Sequence, residues 1–596
     1  MWRPRLVQVV SVCVLCCSSC SEPEIDFDPA DPARGPGQLA GQPDERRGSS
    51  AEDFAAAVSD APQTRSVTPP EGSELPDCGA DCQSHCDGLA LQNPVDDGAC
   101  RGLWGVGLRT RPIVAEEACR RLWVDLTGRF PTRDEVEADC MDRDYAQVAA
   151  ELMATPEFVL VNQRRWADRL LYNNQAVSIE RIYDMDALVG KLYRGEVAYD
   201  EFAAVLSAHP VITRRYDTAG DRAEAVFTLL LGRPPYENER ADMARLYALW
   251  RNGYYDHPKL QQRLPDATIE FRCVDDQGRV DVETKGECTS IRWGYNELIL
   301  EPDFRARDGE MWSGLLTADE WERLQLPGRI LSAEVGFWEH AVDRVLQLYL
   351  GYDLGTRLPD VRQALIEYVL AHDGDIRAAH HAVVTSQLYL QTSTGATDTT
   401  HRFTYGPLKQ VDVEPWIDTV EHTTGYSLSR CDHRLPDPEA LMNGSFTGYA
   451  VVNGSRWELD EDNDVVDDYR GLARTLGGCP ENEVGGRFKT VSILTTATQE
   501  GFVTRVCNPT LEPEEGAPIE RLLPDGMDPD RALDADVAES IYRHQLGRFF
   551  ARGPADAELD EVREAADACA PKPCTAEMFA RPTCYALLSS SEMLFY

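Results

Sequence analysis

Residues 332–351 read SAEVGFWEHAVDRVLQLYLG. Val335, Trp338, Val342, Val345 and Tyr349 recur there at three- and four-residue steps. That spacing puts all five on one face of a 3.6-residue helix, so the segment predicts an amphipathic helix with a buried stripe. Ser332 is placed to cap its N-terminus, and Glu334 in the first turn complements the dipole. Gly351 can close it in a left-handed conformation. Thr155-Pro156 repeats the logic, a cap residue followed by proline at the first helical position, with Val159, Trp166 and Leu170 on one face beyond it.

This pattern holds from about Leu103 through most of the chain. The expected fold class is mainly α: a multi-helical two-domain body with short β-hairpin insertions and a disordered N-terminal tether. A loose internal rhyme supports helix hairpins. An apolar helix end, Gly-Arg and an acidic restart occur at Leu126-Thr127-Gly128-Arg129 with Asp134 and Glu135, and at Leu231-Gly232-Arg233 with Glu237 and Glu239. A third instance reads Leu546-Gly547-Arg548 with Glu558. Glycine permits the turn, arginine favours the preceding C-terminus, and the acids favour the next N-terminus.

The first twenty residues lead to the expectation of export. Arg3 and Arg5 precede an apolar run from Leu6 to Cys17, far shorter than the ~20 residues a spanning helix needs. Ser18-Ser19-Cys20 then matches a bacterial lipoprotein cleavage site, with Cys20 as the lipidated residue and the membrane reached through that anchor. The segment removes Cys13, Cys16 and Cys17, and fourteen cysteines remain beyond Cys20. An even count in an exported chain reads as disulfides. Local candidates are Cys78, Cys82, Cys86 and Cys100; Cys119 with Cys140; Cys273 with Cys288; and Cys569, Cys574 and Cys584. Cys78, Cys82, His85 and Cys86 could alternatively hold zinc. The expected order is a signal peptide at 1–20, an acidic, proline-rich tether at 21–76, and a cysteine-rich knot at 77–102. A first helical domain follows at 103–267, then a disulfide-pinned connector at 268–330 and a second helical domain at 331–596. Asn443-Gly444 and Asn453-Gly454 predict a hairpin near 443–460.

Charge excludes some functions. The 596 residues include 59 Lys and Arg against 101 Asp and Glu, a net charge of −42. Loss of Arg3 and Arg5 makes it −44. Phosphate-backbone affinity needs clustered cations, so no nucleic-acid partner is expected. Asp460, Asp462, Asp464 and Asp468 stand at offsets 1, 3, 5 and 9 of an oxygen-rich loop, a calcium candidate. Val465 and Gly471 stand where such a loop carries glycine and a bidentate glutamate. His380 and His381, adjacent on a helix, point about 100° apart and do not make a metal pair. His544 reads as a packing histidine, and Asp534 or Asp536 as a helix cap. No hydrolase elbow, phosphate loop or dinucleotide fingerprint occurs.

Arg120-Arg121-Leu122-Trp123-Val124-Asp125-Leu126-Thr127-Gly128, then Pro131-Thr132 and Glu135-Val136, resemble the planctomycete cytochrome-associated secreted proteins, which pair two domains of unknown function. The likeness continues through Leu152 to Phe158, Trp166 to Arg169 and Tyr199 to Phe202. It reappears at Val342 to Val345, Val383 to Tyr389, Gly486 to Phe502, Tyr542 to Gly547 and Ala586 to Phe595. Many members of that family carry Cys-x-x-Cys-His where this chain reads Leu230-Leu231-Gly232-Arg233-Pro234-Pro235-Tyr236. The motif occurs nowhere in the chain, so covalent haem is not expected. The resemblance implies an exported sulfatase-like protein as a partner. The sequence therefore points to a lipid-anchored cell-envelope protein, at the outer membrane or secreted to the periplasm or cell surface, acting as a non-catalytic binding or scaffold protein. The alternatives are an envelope polysaccharide-processing enzyme with dispersed carboxylates and a haem-less redox partner.

Overall fold

The structure is a computed structural model. It describes, with short gaps, residues 79–101, 113–170, 179–249, 318–391, 409–426, 476–478, 493–508 and 516–593, plus strand backbone within 270–294 and 451–467. These residues all belong to one compact unit, 50–596. Residues 1–76, where a signal peptide and a tether are expected, lie outside the described residues.

The described residues are mainly helical. The helices of the first half are α1 (Ala80–Asp87), α2 (Ala115–Thr127), α3 (Arg133–Asp139), α4 (Tyr145–Met153), α5 (Pro156–Leu170), α6 (Ile179–Arg194), α7 (Tyr199–Ala208), α8 (Ala219–Leu231) and α9 (Glu237–Leu249). Then come α10 (Ala318–Ser332), α11 (Val335–Leu350), α12 (Pro359–Ala371), α13 (Ile376–Val384), α14 (Val413–Thr424) and α15 (Ile493–Cys507). The last four are α16 (Ile519–Leu522), α17 (Ala535–Phe550), α18 (Asp556–Ala568) and α19 (Ala576–Leu588). Backbone pairing is antiparallel between Glu270–Val274 and Ser290–Gly294, and along Val451–Val452, Ser455–Leu459 and Val465–Asp467.

Two apolar cores organise the helices. One gathers α2 to α13 around Leu122, Trp166, Phe202, Val226, Phe337 and Leu365. Helices on both sides of residue 331 share it. The other gathers α14 to α19 around Trp416, Phe502, Leu522, Ile541, Val562 and Phe579. Val124 and Phe130 enter the second core, while Ala551 enters the first. Polar ties cross the same joint. Arg164 pairs with Asp418 at 2.6 Å, and the Phe130 amide donates to Thr419 Oγ1 at 2.9 Å.

The opening stretch divides differently from its reading. Ser332 ends α10, its hydroxyl donating to the Arg329 carbonyl at 3.0 Å, and Glu334 takes the cap position of α11 without a side-chain cap bond. Val335 is 36% exposed, so it is not part of the stripe. The buried face is Phe337, Ala341, Val342, Val345, Leu346, Tyr349 and Leu350. It is wider than one stripe because α8, α12 and α13 all pack on α11. Gly351 does close the helix at φ 81°.

Three helix hairpins carry one cassette. The preceding helix ends on a left-handed residue: Gly128 (φ 78°) after α2, Gly232 (φ 68°) after α8 and Ala551 (φ 56°) after α17. Arginine follows at once, proline stands at the third place and glutamate at the seventh. Each arginine grips its glutamate with two nitrogens: Arg129 to Glu135 at 2.6 and 3.0 Å, Arg233 to Glu239 at 2.7 and 2.8 Å, Arg552 to Glu558 at 2.8 and 2.9 Å. The same glutamate accepts the N–H of Thr132, Tyr236 or Ala555 at 2.7 Å, satisfying an orphan donor at the next helix start. The third hairpin thus lies four residues beyond its expected place. Gly547 is buried inside α17 and Arg548 donates to the Thr423 carbonyl at 2.8 Å. An alanine holds the left-handed position in the third cassette, where the other two carry the glycine that marks a helix end in sequence.

Disulfides staple the body. Cys86 bonds Cys100, Cys119 bonds Cys140, and Cys569 bonds Cys574. Cys584 bonds Cys507 of α15 instead of joining its near neighbours, because α15 and α19 lie side by side in the second core. Cys82 is also disulfide-bonded. Sulfurs committed to disulfides are not thiolate ligands, which removes the zinc alternative at Cys82 and Cys86. Among the described residues no helix is long and apolar enough to cross a membrane.

Candidate functional site

A cavity of about 60 Å³ opens between α5 and α11. On α5, Asn162, Arg165, Trp166 and Arg169 follow the i, i+3, i+4, i+7 rule and share one face. On α11, Ala341, Arg344, Val345 and Leu348 do the same. Tyr193 of α6, Tyr199 of α7 and Ile376 and His380 of α13 complete the wall. Among the described residues, three guanidinium groups line the cavity and no carboxylate does.

Each arginine is held differently. Arg165 donates to the Asp125 carbonyl at 2.7 Å and to Asn162 Oδ1 at 3.2 Å. Its guanidinium lies 5.7 Å from the centre of the Tyr349 ring. Arg169 stacks 4.0 Å over Trp166, and its Nε and one Nη are buried without a hydrogen-bond acceptor. Burial, then the positive charge of Arg169, pushes Arg344 down to about 9. Among the described residues, no carboxylate forms an ion pair with Arg169 or Arg344. Unpaired buried charge is costly, so a cluster of this kind is stabilised by an anion that enters it.

The neighbouring histidines do not add charge. Burial, then Arg165, pushes His380 down to about 3, and its Nδ1 lies 2.6 Å from the Tyr349 hydroxyl. Burial, then Arg169 and Arg344, pushes His340 down to about 3 as well. Both are neutral at pH 7, and the positive potential of the cavity belongs to the guanidiniums. Behind them, Asp125 is 2% exposed and is engaged by Lys409 Nζ at 2.5 and 2.7 Å and by the Tyr389 hydroxyl at 2.8 Å. Burial outweighs the pull of Asp125 and lowers Lys409 to about 8. This clamp fixes α2, and with it the carbonyl that orients Arg165.

The residues singled out from sequence lie elsewhere. Cys20, Cys78 and Cys288, and the calcium candidates Asp460, Asp462, Asp464 and Asp468, lie outside the described residues, and Cys273 is described in its strand backbone alone. Among the described residues no group of three or more His, Cys, Asp or Glu is placed to hold a metal ion. His381 faces away from His380, with Nε2 2.9 Å from the Ala146 carbonyl. His544 lies 3.3 Å from the Arg521 carbonyl, and Asp534 caps α17 by accepting the Val537 amide at 2.8 Å. The sequence reading does not find the arginine cavity: Arg165 and Arg169 share a readable helix face, but Arg344 stands alone among Ala341, Val345 and Leu348 on α11.

No protein-family model matches the chain, and neither a curated protein nor a solved structure does.

Proposed function

We propose that this chain is an exported, lipid-anchored cell-envelope protein that binds an anionic ligand in the α5–α11 cavity as a non-catalytic binding or scaffold protein. One observation carries the binding reading: Arg165, Arg169 and Arg344 line a cavity that, among the described residues, no carboxylate lines, in a chain of net charge −42. An acidic protein repels anions over most of its surface, so three convergent guanidiniums there answer a specific need. The signal-like segment ending at Cys20 supports export and anchoring. The order of the family-like motifs supports kinship with the cytochrome-associated secreted proteins, and with it a sulfatase-like exported partner. Hairpin insertions near 268–330 and 443–460 belong to the same reading.

The test is calorimetric titration of the mature protein with acetate, sulfate and phosphate at low ionic strength, beside an Arg344→Gln variant. Saturable binding of at least one anion, lost in the variant, is expected. Absence of binding by every anion sinks the proposal.

A further inference from the structure

The identity of the anion follows from charge, shape and room, and this step rests on the anion-binding reading. Arg169 and Arg344 face the same space, where the charge of Arg169 disfavours protonated Arg344, and Arg165 adds a third positive group to the wall. A single carboxylate would compensate only one of the Arg169 and Arg344 charges in a partly desolvated site. A dianion would neutralise both. Guanidinium forks reach several oxygens at once, which suits a tetrahedral group with oxygens on every side. The room agrees: a cavity of about 60 Å³ holds roughly four to six water-sized positions, the size of one phosphate group. Trp166, Tyr193 and Tyr199 bound the same space and offer a face for the carbon body that carries the phosphate.

We propose that the α5–α11 cavity binds a phosphate monoester group, with Arg169 and Arg344 on its oxygens, Arg165 as the third cation and the aromatic wall against the attached body. Phosphate monoesters carry between −1.5 and −2 charges near pH 7, approximately, whereas sulfate esters share the shape with one charge and uronates have one charge on a planar group. The cavity should rank them by that difference. Arg165 is held by a main-chain carbonyl and by Asn162, so it is set before the ligand arrives. Arg169 has buried donors to give, and takes the first oxygens.

Titration of the full mature protein at pH 7.5 with glucose 6-phosphate, inorganic phosphate, glucose 6-sulfate and glucuronate tests this. Glucose 6-phosphate is expected to bind at least about tenfold tighter than glucose 6-sulfate and glucuronate, one order of magnitude for the second charge. Tighter binding of the sugar phosphate than of inorganic phosphate assigns the aromatic wall to the ester's carbon body. Equal binding of the two restricts the site to the phosphate group and overturns that part. Arg344→Gln should abolish the preference for charge. Thermal melting keeps the result readable, because relief of repulsion with Arg169 should leave the ligand-free variant as stable as the wild type or more so. Arg169→Lys serves as a second variant that retains the charge and loses the fork. If glucose 6-sulfate or glucuronate binds as tightly as the phosphate, the phosphate assignment is wrong while the anion-binding reading stands. If no anion binds, both fail.

Discussion

Gly128 and Ala551 occupy the same place in two copies of one cassette, and they predict unequal responses to exchange. At Gly128, φ is 78° and a Cβ would lie 2.6 Å from Val161 Cγ2. Gly128→Ala should therefore cost at least about 1–2 kcal/mol, the ordinary penalty of a left-handed alanine, with the contact adding to it. At Ala551 the penalty is already present. Ala551→Gly relieves about 1 kcal/mol of backbone cost and loses about 0.8 kcal/mol of buried methyl, so urea unfolding should show almost no change. A loss at Ala551 comparable to that at Gly128 would mean that the two sites are not equivalent. The cassette glutamates make a pH prediction. Hydrogen bonds from Arg552 lower Glu558 to about 2, against an ordinary value of 4.5. Between those values the unfolded chain holds the proton and the folded chain does not, so stability rises with pH across that window. The contribution is complete above about 4.5 and is lost toward pH 2. Unfolding measured from pH 2.5 to 6 should show a shallower acid limb in Glu558→Gln than in the wild type.

Among the elements, α7 and α10 approach most closely. Gly328 of α10 donates its amide to Ser207 Oγ at 2.9 Å, and a Cβ there would lie 2.6 Å from the Ala204 Cα. Backbone cannot yield as a flexible side chain does, so Gly328→Ala should lower the melting temperature clearly, while Gly336→Ala, with open space around it, should not. In the second core, the Cys507–Cys584 bond closes 77 residues of chain between α15 and α19. Replacing both cysteines with alanine should cost about 2–5 kcal/mol, with the loss read by guanidinium unfolding. Much of this element level was legible in the sequence. Helix ends at Gly128, Gly232 and Gly351, the proline start at Pro156 and the Asp534 cap rest on local chemistry, which the chain carries within a few residues. Ser332 and Val335 were misread because tertiary neighbours set which face of α11 is covered. The partner of Cys584 is not legible in the sequence, because sequence proximity says nothing of which helices meet.

Across the whole molecule, the handover between cores falls between Leu390 and Val411, in a stretch where periodicity gives no warning. Which helices share a core depends on long-range packing, as when α10 and α11 join α7 and α8. The site was hidden for the same reason. Arg165 and Arg169 are separated by more than 170 residues from Arg344, and their convergence exists only in the fold. The net charge of −42 acquires a sharper meaning in that light, since an anion reaches the cavity against the general field. Binding should therefore strengthen as salt first rises and screens that field, then weaken as counter-ions compete. Cys20→Ala, expressed from its own signal, should leave the membrane fraction if Cys20 carries the lipid; persistence there would contradict anchoring through this residue. The most direct measurement is a crystal of the mature protein soaked in arsenate, a tetrahedral dianion whose arsenic scatters anomalously. The account predicts an anomalous peak within hydrogen-bonding reach of Arg169 and Arg344. A fully soaked crystal with an open cavity and no peak there would contradict it.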